Sequence, residues 1–487
     1  MRPLLFLVFL SMTGQSYSQT SVTQQADRID SLLQQYVALD QFSGSILVAR
    51  KDTVILAKGY GLANREWNIP AQSGTRFRIA SLTKQFTGML IMQLKQAGKI
   101  DLHAPVSKYL PWYPRHIGTR VTIHQLLTHT AGIPNFTNRP DFFSSVGRQE
   151  FSTRDFVLRY CTDSLESKPG TRFNYSNTGY YILGAVIEEI THKSFAAVLK
   201  EQILDVAGMT DSGVDVPDNI ITDRANGYEQ PYGVWQNARF INTASTIGAA
   251  GNMYSTVQDL YRWNRALYGD KLLNEANKKI MFTPALNDYA YGVGVVKIRI
   301  GGEKDSVVLM AHTGGINGFR AKILRIPDTE EVIIALSNTS DDFSTADISA
   351  ITLNMLLALH NQPYTAPAAH IVTETGKKLL TGSVGEAISF YQQAKSNPVY
   401  DTSHAMMRLE SLGRYLSDIG RRKDGIAVLK FNTELFPTSA QAYDSYADEL
   451  EEDNQLQEAV IHYRKTLLLD PANQHARKAL QRLGKKP

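Results

Sequence analysis

Cysteine is nearly absent. Cys161 is the only one in 487 residues, so the chain can form no intramolecular disulfide and no cysteine cluster for zinc. Charge of one sign is scarce as well. Lysines and arginines number 51 against 47 aspartates and glutamates, and a surplus of +4 makes no electrostatic case for nucleic acid. Beyond the N-terminal residues, no segment reaches the roughly 18 uninterrupted apolar residues of a membrane helix. There is no Gly-x-Ser-x-Gly elbow, which removes the Ser-His-Asp hydrolases of the α/β type, and no Gly-x-x-x-x-Gly-Lys-Ser/Thr loop for phosphate. His124 and His129 stand five residues apart with no glutamate between them, the wrong spacing for a helical ligand pair. Both read as structural or loop-forming, and neither metal nor cofactor is expected. What remains is ordinary globular composition, 43% hydrophobic and 20% charged, with length for two or three domains.

The chain opens with the pattern of an address. Met1-Arg2 is a short positive start, Pro3 to Leu10 is an apolar run too short for a stable anchor, and Ser16 and Ser18 precede a cut at Gln19. Residues 1–18 read as a cleavable signal peptide, so the mature protein is expected to be secreted or periplasmic. Val22 to Leu39 has helical periodicity, with Ile29, Leu32, Leu33 and Tyr36 on one face. Gly44 to Ala49 and Thr53 to Gly59 read as a hairpin turning at Lys51-Asp52, and Thr83 to Gln96 as a helix. β-Branched runs return at Val293–Ile300, Ser306–Ala311, Ala321–Ile326 and Glu331–Leu336, followed by a closing helix from Ala346 to Leu359. Strands at both ends with helices between predict one mixed sheet completed by the two chain ends, beside a helical insertion.

Composition shifts at Pro363-Tyr364-Thr365-Ala366-Pro367-Ala368-Ala369, and beyond it every apolar pattern is helical. Leu412-Gly413, Leu416, Leu429 and Pro437 align with Tyr446-Ala447, Leu450, Tyr463 and Pro471 at a spacing of 34, the tetratricopeptide period. Glu386-Ala387-Ile388 with Tyr391 and Pro398 is a weaker, offset copy. The predicted organisation is a first domain over 19–362, a linker over 363–376 and tetratricopeptide-like helices over 377–487.

Three motifs carry chemistry. Ser81-Leu82-Thr83-Lys84 sets a hydroxyl and an amine three residues apart, on one face if Ser81 opens the helix. A desolvated lysine loses affinity for its proton and can then activate a serine, while a helix N-terminus offers free N–H groups to an oxyanion. Tyr175-Ser176-Asn177 is the only Tyr-x-Asn in the chain, pairing a phenol for proton transfer with an amide that can orient a substrate or the lysine. His312-Thr313-Gly314-Gly315 directly follows a β-rich run, and glycines there would let a substrate backbone approach the strand edge.

With these motifs in this order, the chain resembles the serine β-lactamase and penicillin-binding-protein superfamily, in its class C β-lactamase-like branch with D-Ala-D-Ala carboxypeptidases, D-aminopeptidases and esterases. Phe77-Arg78-Ile79-Ala80, Leu126 to Pro134, Pro169-Gly170, Met253-Tyr254-Ser255-Thr256 and Gly318-Phe319-Arg320 add to the resemblance, which spans residues 22 to 360. It implies an α+β domain, an antiparallel sheet flanked by helices plus a helical region, followed here by the all-α repeats. It also implies an acyl-enzyme on Ser81, with Lys84 and Tyr175 sharing the proton transfers. The oxyanion would sit between the N–H groups of Ser81 and Gly315, Asn177 would position the substrate, and His312, Thr313 and Gly314 would line the pocket.

One departure matters. Class C β-lactamases usually carry lysine where this chain has His312, and a histidine near its ordinary pKa of about 6.5 is only partly charged at neutral pH. The reading therefore favours a D-amino-acid peptidase or esterase, with peptidoglycan-derived peptides among its substrates, over efficient β-lactam hydrolysis, although Arg320 could replace the missing cation. The rival outside enzymology is a ligand-sensing module whose repeats recruit a protein or cap the first domain. Tyr232 and Trp235, aromatics of the middle loops, have no assignment from sequence.

Overall fold

The computed structural model describes residues 21–340 and 347–486. The signal-peptide reading, and Ala346 at the start of the closing helix, lie outside them. The principal elements in chain order are α1 (Val22–Ala38), β1 (Gly44–Arg50), β2 (Thr53–Tyr60), α2 (Thr83–Gln96), α3 (Asn177–Thr191), α4 (Val257–Ala266), α5 (Glu275–Phe282), β3 (Gly294–Arg299), β4 (Ser306–Ile316), β5 (Phe319–Ile326), β6 (Glu331–Ser337) and α6 (Ile348–Leu359). Seven more helices follow: α7 (Ile371–Thr381), α8 (Val384–Ala394), α9 (Ala405–Asp418), α10 (Arg422–Leu435), α11 (Ala440–Glu452), α12 (Leu456–Leu469) and α13 (Gln474–Arg482).

Six strands form one sheet in the order β3-β4-β5-β6-β1-β2. Every ladder in it is antiparallel, as the family resemblance implies, whereas the strand pattern alone suggests a mixed sheet. The two chain ends do meet: β1 pairs with β6, Gly44 opposite Ser337 and Arg50 opposite Glu331. Short connections join the other four neighbouring pairs as antiparallel hairpins, whereas parallel neighbours would need crossovers. Alternate residues of the central strands serve different cores. Leu47, Ala49, Ile323 and Ile334 face the helical region with α2 and α3. Ile46, Val48, Leu324 and Ile333 face the terminal helices α1 and α6. Coverage on both faces explains why β6 is buried along its whole length and reads as a continuous apolar run.

Helix α1 starts at a capping box, in which Ser21 Oγ accepts from Gln24 N–H and the Gln24 side chain reaches back to Ser21. It is tied to α6 by Gln25 Nε2 and Arg28 Nη1, which donate to Leu359 O and Ala358 O at 3.2 Å each.

The stretch expected as a linker is laid against the first domain. Thr365 O accepts from Asn354 Nδ2 and Ala368 O from Gln41 Nε2, at 2.8 and 2.7 Å. Helix α7 begins at Ile371, so the boundary expected at residue 376 falls inside it. In α9 and α10 close approach depends on small residues. A Cβ on Gly413 would meet the Leu429 side chain at 2.6 Å, and one on Gly425 would meet Gly413 O at 2.5 Å. The repeat-matched Leu412, Leu416, Leu429, Tyr446, Leu450 and Tyr463 are all buried.

One side chain of the first domain enters the helical core. Tyr232, at a left-handed turn (φ 50°), is buried against Ile371, Val372, Leu379 and Leu409. Gly376 makes room for its ring: a Cβ there would come within 2.5 Å of it. Nearby, Trp235 stacks on the Arg65 guanidinium, 3.1 Å from carbon to ring centre. Removing a buried aromatic ring costs about 3–5 kcal/mol. Tyr232→Ala is therefore expected to uncouple the helical region, giving two calorimetric transitions where the wild type gives one. An unchanged scan would show that Tyr232 does not hold the two parts together.

Candidate active site

The serine motif sits at the seam between the sheet and the helical region. Ala80-Ser81-Leu82 form a 3-10 turn that runs directly into α2. Ala80 has φ 46°, a left-handed conformation that costs a non-glycine residue about 1–3 kcal/mol and persists only where its surroundings hold it. Here Ile79 N–H donates to Met253 O (3.0 Å) and Thr83 Oγ1 to Ala80 O (2.7 Å). Two residues upstream, Arg78 pairs with the buried carboxylate of Asp215, which also takes Arg224.

Lys84 follows one turn on and is completely buried. Its Nζ lies 2.8 Å from Asn177 Oδ1, 2.8 Å from Ala250 O and 3.0 Å from Ser81 Oγ. The first two can only accept. A neutral amine has two protons for them and a lone pair left for the Ser81 hydroxyl proton. Desolvation holds the Lys84 pKa well below its ordinary value, in the direction this arrangement needs. The rings of Tyr175 and Tyr180, at 4.9 and 5.5 Å, attract the cation by only about 0.5–2 kcal/mol each.

Tyr175 is hydrogen-bonded to Ser81, and burial pushes its pKa up. Burial thus shifts the phenol toward keeping its proton and the amine toward losing one. Asn177 opens α3; its N–H donates to Asn135 Oδ1 (3.1 Å) and its Nδ2 to Thr137 Oγ1 (3.2 Å), which fixes the carbonyl on Lys84.

The third motif differs from its sequence reading. It does not follow the strand but forms part of it, since β4 runs on to Ile316. Thr313 pairs with Lys322 and Gly315 with Arg320 across β5. Gly314 is where the strand touches the serine turn: a Cβ there would lie 2.2 Å from Ile79 O and 3.2 Å from Ser81 N. Gly315 carries the Arg320 guanidinium above it, 2.9 Å from where its own Cβ would be. His312 is buried and its tautomer is set. Thr313 O (2.6 Å) can only accept, so Nδ1 carries the proton and Nε2 accepts from the Tyr289 hydroxyl at 2.8 Å. Burial, then the charge of Lys84, pushes its pKa down to about 3. The expectation of partial charge at neutral pH is thus corrected: His312 is neutral there.

The structure brings Ser81, Lys84, Tyr175, Asn177, His312, Gly314 and Gly315 together, leaves Thr313 on the exposed side of β4 with its carbonyl on His312, and adds two residues that sequence reasoning missed. His129, read as structural, is buried 4.3 Å from the Tyr175 ring, centre to centre. Its Nδ1 accepts from Ser176 N–H (3.1 Å) and its carbonyl from Asn174 N–H (2.8 Å), clamping the tyrosine segment on both sides. Its place within Leu126–Pro134, already noted as a matching stretch, was the available signal. Tyr289 stands in a loop with no motif and left none.

A helical region laid against one face of an antiparallel sheet, with a buried lysine beneath a serine at the seam, is the architecture of serine hydrolases of the β-lactamase and penicillin-binding type. Residues 29–353 match the family described as Beta-lactamase, well over half of the sequence, and the chain belongs to that family. It is 28% identical over 417 residues to penicillin-binding protein 4* of Bacillus subtilis, covering 82% of this chain and 87% of that protein. It is 29% identical over 338 residues to protein flp of Staphylococcus aureus, covering 66% and 64%. Among solved structures, the penicillin-binding protein of Bacillus halodurans superposes with a TM-score of 0.58 at 26% identity, over 68% of this chain and 98% of that one. The D-amino acid amidase of Ochrobactrum anthropi SV3, complexed with L-phenylalanine amide, gives 0.59 at 25% identity, over 69% and 99%.

Proposed function

We propose that this protein is an exported serine hydrolase that cleaves D-amino-acid peptide, amide or ester bonds through an acyl-enzyme on Ser81. The observation that carries the reading is the opposite direction in which the site moves its two proton-transfer groups. Burial lowers the lysine and raises the tyrosine. Lys84 then takes the Ser81 proton as the hydroxyl attacks the carbonyl, and Tyr175 keeps a proton to give to the leaving group. The N–H groups of Ser81 and Gly315 receive the oxyanion, and water later hydrolyses the ester. Neutral His312 supplies no positive charge. Arg320, over Gly315, is the cation placed to meet a substrate carboxylate. The signal-like start, Met1-Arg2 and the apolar run after it, supports export. The buried Tyr232 favours a capping role for the tetratricopeptide-like helices over recruitment of a protein partner.

The test offers D- and L-phenylalanine amide, a D-Ala-D-Ala peptide, p-nitrophenyl acetate and a fluorescent penicillin to the mature protein and to Ser81→Ala. Ser81-dependent cleavage of D-configured amides or peptides, or of the ester, is the expected result. Rapid loss of the penicillin without a lasting adduct, and no action on the others, would make it a β-lactamase instead. Undiminished turnover by Ser81→Ala would overturn the assignment of the nucleophile.

A further inference from the structure

Arg325 lies on β5, on the sheet face turned toward α2 and α4, and is only 2% exposed. A buried guanidinium is costly unless its charge and its N–H groups are matched. Among the described residues it makes one hydrogen bond, from Nη2 to Gln85 Oε1 at 2.7 Å, and no ion pair. Nε and Nη1 have no acceptor, and the Tyr268 hydroxyl and both amide atoms of Asn264 are likewise buried without partners. These groups converge on one cleft of about 290 Å³, between the end of α4, α5 and the strands β4 and β5.

Positive charge outnumbers negative in the lining of the cleft, and Asp328, one of the acidic groups near Tyr268, lies outside that lining. Lys278 and Lys279 line it with Arg325, and the only carboxylate in the lining, Glu275, is already paired with Lys278. Glu330, which is near Tyr268, is taken by Arg265. The rest of the wall is apolar: Leu267, Phe282, Met310 and Pro327. Loss of solvation pushes the Arg325 pKa down to about 10, which still leaves it cationic at neutral pH.

We infer that this cleft is a second binding site, separate from Ser81, for a small monocarboxylate with an apolar body. The carboxylate would accept from Arg325 and from Asn264 or Tyr268, and the apolar body would lie on Phe282 and Met310. The free N–H groups call for an oxyanion, and the apolar wall selects an organic acid over a bare inorganic ion.

Benzoate is the probe, with inorganic phosphate and chloride at equal ionic strength as comparisons, on the full chain. Saturating benzoate is expected to raise the melting temperature of the wild type by several degrees, as a ligand of the native state does. Arg325→Met should abolish that shift and, by replacing an unmatched buried charge with an apolar chain, should melt no lower than wild type without benzoate. Tyr268→Phe, which keeps the ring, should weaken benzoate binding several-fold and covers the case in which Arg325→Met does not fold. No dose-dependent shift, or one that survives Arg325→Met, would overturn the site. An equal shift with phosphate would overturn the monocarboxylate assignment.

Discussion

Lys84→Met will slow acylation of Ser81 by about 10²- to 10⁴-fold, the contribution of a positioned general base. Methionine keeps the apolar stem and removes the nitrogen that reaches Ser81 Oγ, Asn177 Oδ1 and Ala250 O together. The last two are then left as acceptors without that donor, so stability falls as well, by about 1–3 kcal/mol for each that stays buried. The pH profile separates the base from a merely structural lysine. Below its folded pKa Lys84 is protonated and cannot accept, so the wild-type rate climbs with pH through that value and then levels. Because burial lowers the value well under that of a free lysine, the climb belongs on the acid side of the ordinary lysine range. His129 and His312 are both held neutral by burial, so neither adds an inflection near the ordinary histidine pKa. Acylation followed by intact mass against pH measures all of this. A lysine-less enzyme that keeps its rate and its acid limb would transfer the base to another group.

Gly314→Ala will cost the enzyme about 10²-fold in kcat/KM through geometry alone. Its new methyl would meet Ile79 O at 2.2 Å and Ser81 N at 3.2 Å, and these are backbone atoms that cannot swing aside. Either β4 retreats or the strained Ala80-Ser81 turn moves, and displacements near 1 Å in a catalytic arrangement have consequences of this size. Gly315→Ala is the internal comparison. Its methyl meets only the tip of Arg320, at 2.9 Å, and a long side chain can give way. With p-nitrophenyl acetate, which has no carboxylate for Arg320 to meet, a much smaller loss is expected there. Equal losses at the two positions would mean that the contact between strand and turn is not what positions Ser81.

Much of this was legible from residue patterns because the chemistry is local. Ser81 and Lys84 are one helical turn apart, so a correct helix boundary at Thr83 already sets them side by side. Tyr175 and Asn177 are likewise neighbours on the chain. The β-branched runs found the strands, since a sheet covered on both faces demands continuous apolar segments. The misread end of β4 had a physical cause: the Thr-Gly-Gly stretch looks like a loop by propensity but is held in the ladder by Lys322, Ala321 and Arg320 opposite it.

The sequence by itself determined the order of the motifs, the strands of the sheet and the helical character of the C-terminal region. Each follows from spacing and periodicity over a few residues to a few tens. Protonation was decided only in three dimensions. Lys84 is driven toward its neutral form, His312 is silenced and Tyr175 keeps its proton because the folded chain removes water from all three. Tyr232 in the helical core and Arg325 in its cleft belong to the same class of fact. Both depend on contacts between segments far apart along the chain, and burial there is a property of the packed structure, not of any stretch of sequence.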